Sequence, residues 1–254
     1  MSDSKLYKDG DKLIKIYLSD TYEYVERAYQ RQKFVYDAGL SVPAVINIKK
    51  INDKETALEM EYIDGKPLVY MYKDKGEEAL IKAMRVMVKL QCQMNAIDAS
   101  GLPDLTDFYS HEITMTPYLT PELKKATIAY MKNLDKGKTN LCHGDIHSYN
   151  IMYNGDKYWI IDWEDASKGD PAADACMSYF YFMRWAAKDN NKSDEQYLQL
   201  FCEESGIAQE DILAWLPVIA CVQVNIDDVE DREFISNFIN QWHKEHDNNP
   251  GGPP

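Results

Sequence analysis

The sequence has no apolar run that approaches the roughly 18 residues of a membrane-spanning helix. Its first residues, M-S-D-S-K-L-Y-K-D-G, also lack the apolar stretch of a secretory signal. These absences indicate a cytoplasmic protein without a membrane partner. The cysteines are only 5 in number and form no C-x-x-C pair, which argues against a disulfide framework and against a structural zinc site.

Positive charge is the other deficit of the chain. Its 28 Lys and Arg residues are outnumbered by 42 Asp and Glu residues, which gives a net charge of -14. Nucleic acid is therefore disfavoured as a partner, because binding to a phosphate backbone needs a basic patch. A chain of 254 residues that is 45% hydrophobic is nevertheless long enough to bury a full core.

The segment from residue 141 to residue 174 contains three spaced motifs, H-G-D-I-H-S-Y-N, I-I-D-W-E and G-D-P-A-A-D. Between the first two, the pair Asn154-Gly155 lies between the apolar runs 151–153 and 158–161. Both residues of this pair tolerate positive φ, so the pattern predicts a β-hairpin.

A connection over residues 154–157 places Asn150 opposite Ile161 and beside Asp162. An amide oxygen and a carboxylate can then share one hard cation, and Mg²⁺ prefers such ligands. Asp145, in the preceding loop, is left to take a proton from an acceptor hydroxyl. This arrangement is typical of phosphoryl transfer.

In this order and spacing, the three motifs resemble the catalytic segment of the aminoglycoside phosphotransferase and choline kinase superfamily, which has a protein-kinase-like fold. The resemblance implies that Asp145 is the catalytic aspartate and that Asn150 and Asp162 bind Mg²⁺. It implies structural roles for His143, Asp170 and Asp174, the last as the helix residue that braces the catalytic loop. The alternative, that all of these are ordinary turn residues, leaves the three spaced motifs unexplained.

The N-terminal residues predict two short strands, K-L-Y-K and K-L-I-K-I-Y-L, around a turn at Asp9-Gly10. Lys15 lies inside the second strand, where the resemblance implies a phosphate-binding lysine. Members of the family begin with a further strand and a loop that covers the nucleotide phosphates, whereas only residues 1–4 precede the first strand here. We therefore expect a truncated phosphate cover.

A helix is predicted over residues 21–38, capped at residue 20 or 21 and ended by Gly39. Its predicted stripe consists of Val25, Tyr29, Gln32 and Tyr36. The family's helix carries a glutamate that pairs with the strand lysine, but that position falls at or near Ala28, and the closest carboxylate is Glu26. Either Glu26 pairs with Lys15, or Lys15 binds phosphate without this partner.

The segment E-Y-I-D-G at residues 61–65 resembles the hinge of the family, where main-chain groups hold the adenine ring. By position these groups are the Glu61 carbonyl and the Ile63 N–H. Leu13 and Ile161 are the apolar candidates for the faces of the purine, although ordinary core packing explains either one alone. The implied co-substrate is ATP or GTP.

The predicted architecture is α+β, a bilobal protein-kinase-like fold. A small β-rich N-lobe covers residues 1–63, and a larger, mostly helical C-lobe covers residues 64–246 and carries the catalytic hairpin at 143–162. Helices are predicted from residue 77 onward and at about 121–134, 171–188, 193–205, 209–224 and 228–245. Residues 247–254 are expected to be a disordered tail.

Acidic and aromatic residues of the C-terminal half suggest a site for an amine, formed by Asp165, Tyr181, Trp185, Asp227 and Asp228. A plainer interpretation is also open. The run D-D-V-E-D at 227–231 suits the first turn of a helix, where the dipole favours acids, and Tyr181 and Trp185 are core neighbours at i and i+4.

The favoured function is an ATP- or GTP-dependent, Mg²⁺-dependent phosphotransferase that acts on a hydroxyl of a small cationic molecule, in the manner of the aminoglycoside phosphotransferases. A choline- or ethanolamine-type kinase and a nucleotide-binding protein with little or no activity are alternatives. A metallophosphoesterase with His143, Asp145 and His147 as metal ligands is a further interpretation of H-G-D-I-H. The other histidines of the chain lie outside recognisable motifs, which disfavours it.

Overall fold

The computed structural model describes residues 4–246. Within this range the strands are β1 (Ser4–Asp9), β2 (Lys12–Leu18), β3 (Val45–Lys50), β4 (Glu55–Glu61), β5 (Lys66–Pro67), β6 (Asn140–Cys142), β7 (Ile151–Tyr153), β8 (Tyr158–Ile160) and β9 (Ser167–Gly169). The helices are α1 (Tyr22–Asp37), α2 (Glu77–Asn95), α3 (Leu105–Met115), α4 (Pro121–Leu134), α5 (Pro171–Asp189), α6 (Ser193–Ser205), α7 (Gln209–Leu213), α8 (Leu216–Gln223) and α9 (Val229–His246). The predicted disordered tail, 247–254, lies outside the described residues.

The described residues divide into two compact units. The first unit contains residues 4–83 and 147–166, and the second contains 84–146 and 167–246. The first unit is rich in strands and the second is mostly helical, so the predicted α+β class is confirmed. Helix α2 begins in the first unit and continues into the second.

The larger sheet of the first unit is antiparallel and has the strand order β1-β2-β4-β3. As predicted, the turn at Asp9-Gly10 joins β1 to β2. Because side chains alternate along a strand, Leu13, Lys15 and Tyr17 of β2 lie on the same face. Tyr17 is fully buried in a core that it shares with side chains of α1 and β4. This packing fixes the position of Lys15 along the strand.

Helix α1 begins after Thr21, whose hydroxyl accepts a hydrogen bond from the Tyr24 N–H at 3.2 Å. It ends, as predicted, just before Gly39, which has a left-handed φ of 87°. Its buried residues are Val25, Ala28, Gln32 and Val35. The predicted stripe was therefore wrong at its end: Tyr36 is 47% exposed, and Val35 is buried instead.

The predicted β-hairpin is confirmed as β7 and β8, in which Ile151 pairs with Ile160. The connection contains Gly155, whose φ of 110° is one that other residues rarely adopt. The first strand of the hairpin pairs in turn with β5. The result is a three-stranded sheet of order β5-β7-β8.

The first unit extends beyond the predicted lobe boundary at residue 63, since it contains residues 64–83 and also residues 147–166, which include the hairpin. Pairing of β5 with β7 is one reason. In addition, the Ile160 N–H donates to the Ser41 carbonyl at 2.9 Å, and the Val69 N–H donates to the Ser148 carbonyl at 3.2 Å. These main-chain bonds join residues 147–166 to the N-terminal part of the chain.

Helix α5 belongs to the core of the second unit, since most of its residues from Pro171 to Phe182 are buried. Asp170 caps its start by accepting a hydrogen bond from the Ala172 N–H at 2.9 Å, and Pro171 occupies a first-turn position where no N–H is needed. Strands β6 and β9, which precede this helix in the chain, pair with each other. The loop that contains Asp145 follows β6 directly.

The remaining helices of the second unit follow the predictions closely, with two differences. The single helix predicted over 209–224 is divided into α7 and α8, and Pro217 lies in the first turn of α8. Proline has no N–H to donate to the preceding turn, so it favours a new helix start. Helix α3 lies outside the predicted ranges. In residues 4–246 no helix is both long and apolar enough to span a membrane.

Candidate active site

A cavity of about 300 Å³ lies in the first unit. Side chains of β2 and β4, among them Leu13, Lys15 and Met60, form part of its wall. Of the residues expected to contact nucleotide, Leu13, Lys15, Glu61, Ile63 and Ile161 all line it. The residues predicted to contact nucleotide therefore line the same cavity, with one exception.

Lys15 has two carboxylate neighbours in this cavity. Its ammonium lies 3.3 Å from Oδ1 of Asp162 and forms a closer ion pair with Glu164. Burial lowers the pKa of Lys15, but the negative charges of Asp162 and Glu164 outweigh this effect, so the net shift is upward. Lys15 is therefore a fixed positive charge on the cavity wall.

The exception is Glu26, and of the two alternatives for Lys15 the pairing with Glu26 is not found. Glu26 lies on the exposed side of α1, whereas Ala28 is the residue of this helix turn that lines the cavity. Among the described residues, the carboxylates paired with Lys15 are those of Asp162 and Glu164. The partner comes from the segment after β8 instead of from the helix.

Glu164 is a site residue that the sequence analysis missed. Its carboxylate accepts hydrogen bonds from the hydroxyl groups of Tyr17 and Tyr24. Burial, followed by the charge of Glu164, raises the pKa of both tyrosines, so both hydroxyls remain protonated donors. The available signals were the acidic residue in I-I-D-W-E and the position of Tyr17 on the same strand face as Lys15.

The expected metal ligands, Asn150 and Asp162, also belong to the first unit. The Asn150 carbonyl accepts a hydrogen bond from the Ile161 N–H at 2.9 Å, so the hairpin register is the one predicted and Asp162 is the next residue. Asp162 has a φ of 67°, a strained conformation for a residue other than glycine. Its side chain is 45% exposed. An amide oxygen and an accessible carboxylate are donors of the kind that suit Mg²⁺.

Asp145 lies in the second unit, in a loop held by its neighbours. The Gly144 N–H donates to Asp174 Oδ1 at 2.9 Å, which is the bracing contact that the resemblance implies. The Asp145 N–H donates to Nδ1 of His143 at 3.2 Å, and His143 is fully buried. The hydroxyl of Tyr181 donates to Oδ1 of Asp145. Main-chain and side-chain contacts thus orient this carboxylate together.

The comparison with known families agrees with this geometry. The phosphotransferase enzyme family (APH) matches residues 5–213. The chain belongs to this family. Among curated proteins, mouse acyl-CoA dehydrogenase family member 10 is 24% identical, over 72% of this chain and 20% of that protein. The chain thus spans about a fifth of the length of this relative.

Solved aminoglycoside phosphotransferases share the fold of this family member. A thermostable mutant of aminoglycoside phosphotransferase APH(4)-Ia, in ternary complex with AMP-PNP and hygromycin B, matches with a TM-score of 0.65 and 16% identity, over 94% of this chain and 92% of that one. APH(3'')-Id from Streptomyces rimosus, in complex with ADP and streptomycin, matches with a TM-score of 0.63 and 16% identity, over 86% and 92% of the two chains. At these identities the likeness establishes the fold alone.

The residues expected to bind an amine are only partly brought together in this phosphotransferase-family chain. Tyr181 and Trp185 stack with ring centroids 6.2 Å apart, and Tyr181 also contacts Asp145. Asp165 belongs instead to the first unit, where its charge contributes to the raised pKa of Tyr24.

The acidic run at 227–231 has partners within its own unit. Asp228 caps the start of α9 by accepting a hydrogen bond from the Asp231 N–H at 2.9 Å, and it lies 4.0 Å from the ammonium of Lys188. The Asp227 carbonyl accepts a hydrogen bond from Arg232 at 3.1 Å. These contacts favour the plainer interpretation of the run as a helix start.

The metallophosphoesterase interpretation gains no support from the described residues. His143 uses Nδ1 to accept the main-chain hydrogen bond of Asp145. Within residues 4–246, no three His, Cys, Asp or Glu side chains are grouped in a way that could hold a metal ion.

Proposed function

We propose that the chain transfers the γ-phosphoryl group of ATP or GTP to a hydroxyl of a small molecule, with Mg²⁺ as its cofactor. One observation carries this proposal: Lys15 and Asp162 meet at 3.3 Å on the wall of a cavity that the hinge residues Glu61 and Ile63 also line. The Lys15 ammonium and the candidate metal ligand Asp162 thus line the same cavity as the hinge residues proposed to hold the purine.

The order of residues along β2 suits a nucleotide. Leu13 pairs with Met60, the residue before the hinge, so it marks the purine end of the cavity. Lys15 is two residues further along the strand, which corresponds to about 7 Å at about 3.4 Å per residue. The ammonium is therefore offset from the hinge in the direction that the phosphates would take.

Asn150 and Asp162 are the residues that would hold the metal, which supplies neutralisation of the phosphate charge when it is bound. Lys15 adds a positive charge, because its raised pKa keeps the ammonium group protonated. Asp145 accepts the proton of the acceptor hydroxyl as that oxygen attacks phosphorus. The hydroxyl of Tyr181 donates to Oδ1 of Asp145 and helps to orient this carboxylate toward the acceptor.

The proposed acceptor is a cationic molecule with a hydroxyl group. Tyr181 and Trp185 provide aromatic faces next to the proposed base, and such faces attract a cation. Structural neighbours were solved with the aminoglycosides hygromycin B and streptomycin. A choline- or ethanolamine-type acceptor has the same chemistry.

An acceptor screen tests this function. Purified protein is incubated with ATP or GTP, Mg²⁺ and one acceptor at a time, chosen from aminoglycosides, choline, ethanolamine and neutral sugars, and acceptor-dependent formation of the nucleoside diphosphate is measured. We expect turnover with at least one cationic acceptor and none in Asp145→Ala. Nucleotide binding without turnover on any acceptor would instead support a nucleotide-binding protein with little or no activity.

A further inference from the structure

Glu164 is held more firmly than a surface carboxylate. Its neighbour Trp163 is 1% exposed and donates from Nε1 to the Ile160 carbonyl at 3.0 Å, which anchors the segment after β8. The side chain of Glu164 is itself only 16% exposed. Glu164 is therefore a built part of the cavity wall.

The carboxylate of Glu164 is the meeting point of donors from β2 and α1. Lys15 and Tyr17 both donate to Oε1, and the Tyr24 hydroxyl donates to Oε2 at 3.2 Å. The guanidinium of Arg31 donates to the main-chain carbonyl of the same residue. Charge-assisted hydrogen bonds of this kind restrict the rotation of a carboxylate and are roughly twice as strong as neutral ones.

The helix that faces the cavity presents an alanine where a carboxylate could otherwise reach Lys15. Ala28 is 4% exposed and lines the cavity, whereas Glu26 points to solvent. The charge that balances Lys15 is consequently supplied by Glu164 and Asp162. Asp162 is the proposed metal ligand, so an ammonium that lay fully against it would neutralise the group that the metal needs.

We propose that Glu164 is the positioning residue of Lys15. It pairs with the ammonium more closely than Asp162 does and holds it where the nucleotide phosphates bind. In the resembling family a helix glutamate pairs with this lysine. This inference rests on the proposed function, since it presupposes that Lys15 contacts phosphate. The tyrosines of β2 and α1 act through Glu164 by fixing its orientation.

The test is calorimetric titration of Glu164→Gln with ATP, once in the presence of Mg²⁺ and once in EDTA. Glutamine keeps the shape and an acceptor for the tyrosines but removes the charge that holds Lys15. We expect affinity for ATP to fall about tenfold in both conditions, because loss of a hydrogen bond to a charged group is typically worth a factor of this order or more. With an active acceptor, KM for ATP rises and KM for the acceptor is unchanged.

A matched control is Glu23→Gln, which removes an exposed carboxylate from the first turn of α1 and is expected to keep wild-type affinity. If Glu164→Gln does not fold, Tyr24→Phe takes its place. It removes one donor to Oε2 and leaves the ion pair, so we expect a smaller loss of affinity in both conditions.

The outcomes separate the inference from the function on which it rests. Wild-type affinity in the folded Glu164→Gln protein, or in Tyr24→Phe where that variant is used, overturns the positioning role while leaving the proposed function intact. A loss that occurs with Mg²⁺ and vanishes in EDTA also overturns it, because Glu164 would then act on the metal and not on Lys15. If wild-type protein binds no ATP in either condition, the proposed function fails, and this inference fails with it.

Discussion

The hydroxyl of Tyr181 donates a hydrogen bond to Oδ1 of Asp145, and this contact is part of a row on helix α5. Residues 174, 178 and 181 follow the i, i+4, i+7 spacing of one helix face. Asp174 accepts from the Gly144 N–H at 2.9 Å, and Ser178 donates to the Ile146 carbonyl at 2.9 Å. One face of a buried helix thus fixes both main-chain neighbours of Asp145 as well as its carboxylate.

We expect Tyr181→Phe to lower kcat about tenfold, since loss of a hydrogen bond to a charged group costs on the order of 1.5 kcal/mol or more. The affinity for nucleotide should not change, because Tyr181 acts on the orientation of Asp145. Steady-state kinetics together with calorimetry check this. Tyr179→Phe, which removes a hydroxyl from the same helix, is the matched control. Equal kcat values in the two variants would show that the Tyr181 contact has no part in turnover.

Replacement of the proposed base has a larger expected effect. Asp145→Asn keeps the shape of the side chain and can still accept a hydrogen bond from Tyr181, but it cannot take a proton. We expect turnover to fall by about 10² to 10⁴, the usual scale for loss of a general base, with nucleotide binding nearly intact. Single-turnover measurements at saturating ATP separate this effect from changes in binding. Wild-type turnover in the variant contradicts the assignment.

The proposed metal ligands are tested by binding instead of by turnover. We expect Asp162→Ala to abolish the Mg²⁺-dependent gain in nucleotide affinity and Asn150→Ala to weaken it, because both side chains are proposed to bind an ion that bridges the phosphates. Titrations with and without Mg²⁺ give the gain for each variant. An unchanged gain in Asp162→Ala would place the metal elsewhere.

The parts of this site that the sequence predicts are those set by short-range rules. The pair Asn154-Gly155 and its flanking apolar runs fix the hairpin register, and the register brings Asn150 next to Asp162. Alternation along β2 puts Lys15 on the same face as Leu13. These relationships follow from spacing alone, so no knowledge of the tertiary structure is needed to infer them.

The pairing of Lys15 with Glu164 lies beyond such rules, because it joins side chains 149 residues apart. The resemblance implies a partner on α1, where the carboxylate closest to the expected position is that of Glu26, which is exposed. The partners of the acidic run at 227–231 are also distant in the sequence. Its partners Arg184 and Lys188 come from α5, and only tertiary packing reveals them.

Asp231 illustrates the structural use of that run and gives a stability prediction. Its carboxylate pairs with Arg184, and both side chains are 8% exposed. We expect Asp231→Asn to lower the free energy of unfolding by about 3 kcal/mol at neutral pH, because removal of one partner leaves a buried charge without its counterion. Urea denaturation measures this loss. Glu230→Gln, at an exposed position of the same helix turn, is the control and should cost much less.

The same variant has a defined pH dependence. Burial raises the pKa of Asp231, but hydrogen bonds and charges from Arg184 and Lys188 outweigh this effect and lower the pKa below the usual range of an aspartate. A carboxyl group whose pKa is depressed by folding stabilises the folded state above its unfolded pKa, and this contribution disappears as the pH falls through the folded value. The difference between wild type and Asp231→Asn should therefore be constant above about pH 5 and shrink in stronger acid. A difference that grows on acidification contradicts the ion pair.

Acceptor recognition can be assigned either to the aromatic pair or to the acidic run, and the two make different predictions. If Tyr181 and Trp185 hold a cationic acceptor, Trp185→Leu, which keeps apolar bulk but removes the aromatic face, should raise KM for that acceptor about three- to tenfold, the range of one cation–π contact. KM for ATP should stay the same.

The double variant Asp227→Asn, Asp228→Asn should leave the acceptor KM and its salt dependence unchanged, because Asp228 already caps α9 and lies near Lys188. Charges more than about 8 Å apart are largely screened at about 0.15 M salt, so kinetics from low to physiological salt would reveal any steering by the run. A flatter salt dependence in the double variant would return Asp227 and Asp228 to the acceptor site, and an unchanged KM in Trp185→Leu would remove the aromatic pair from it.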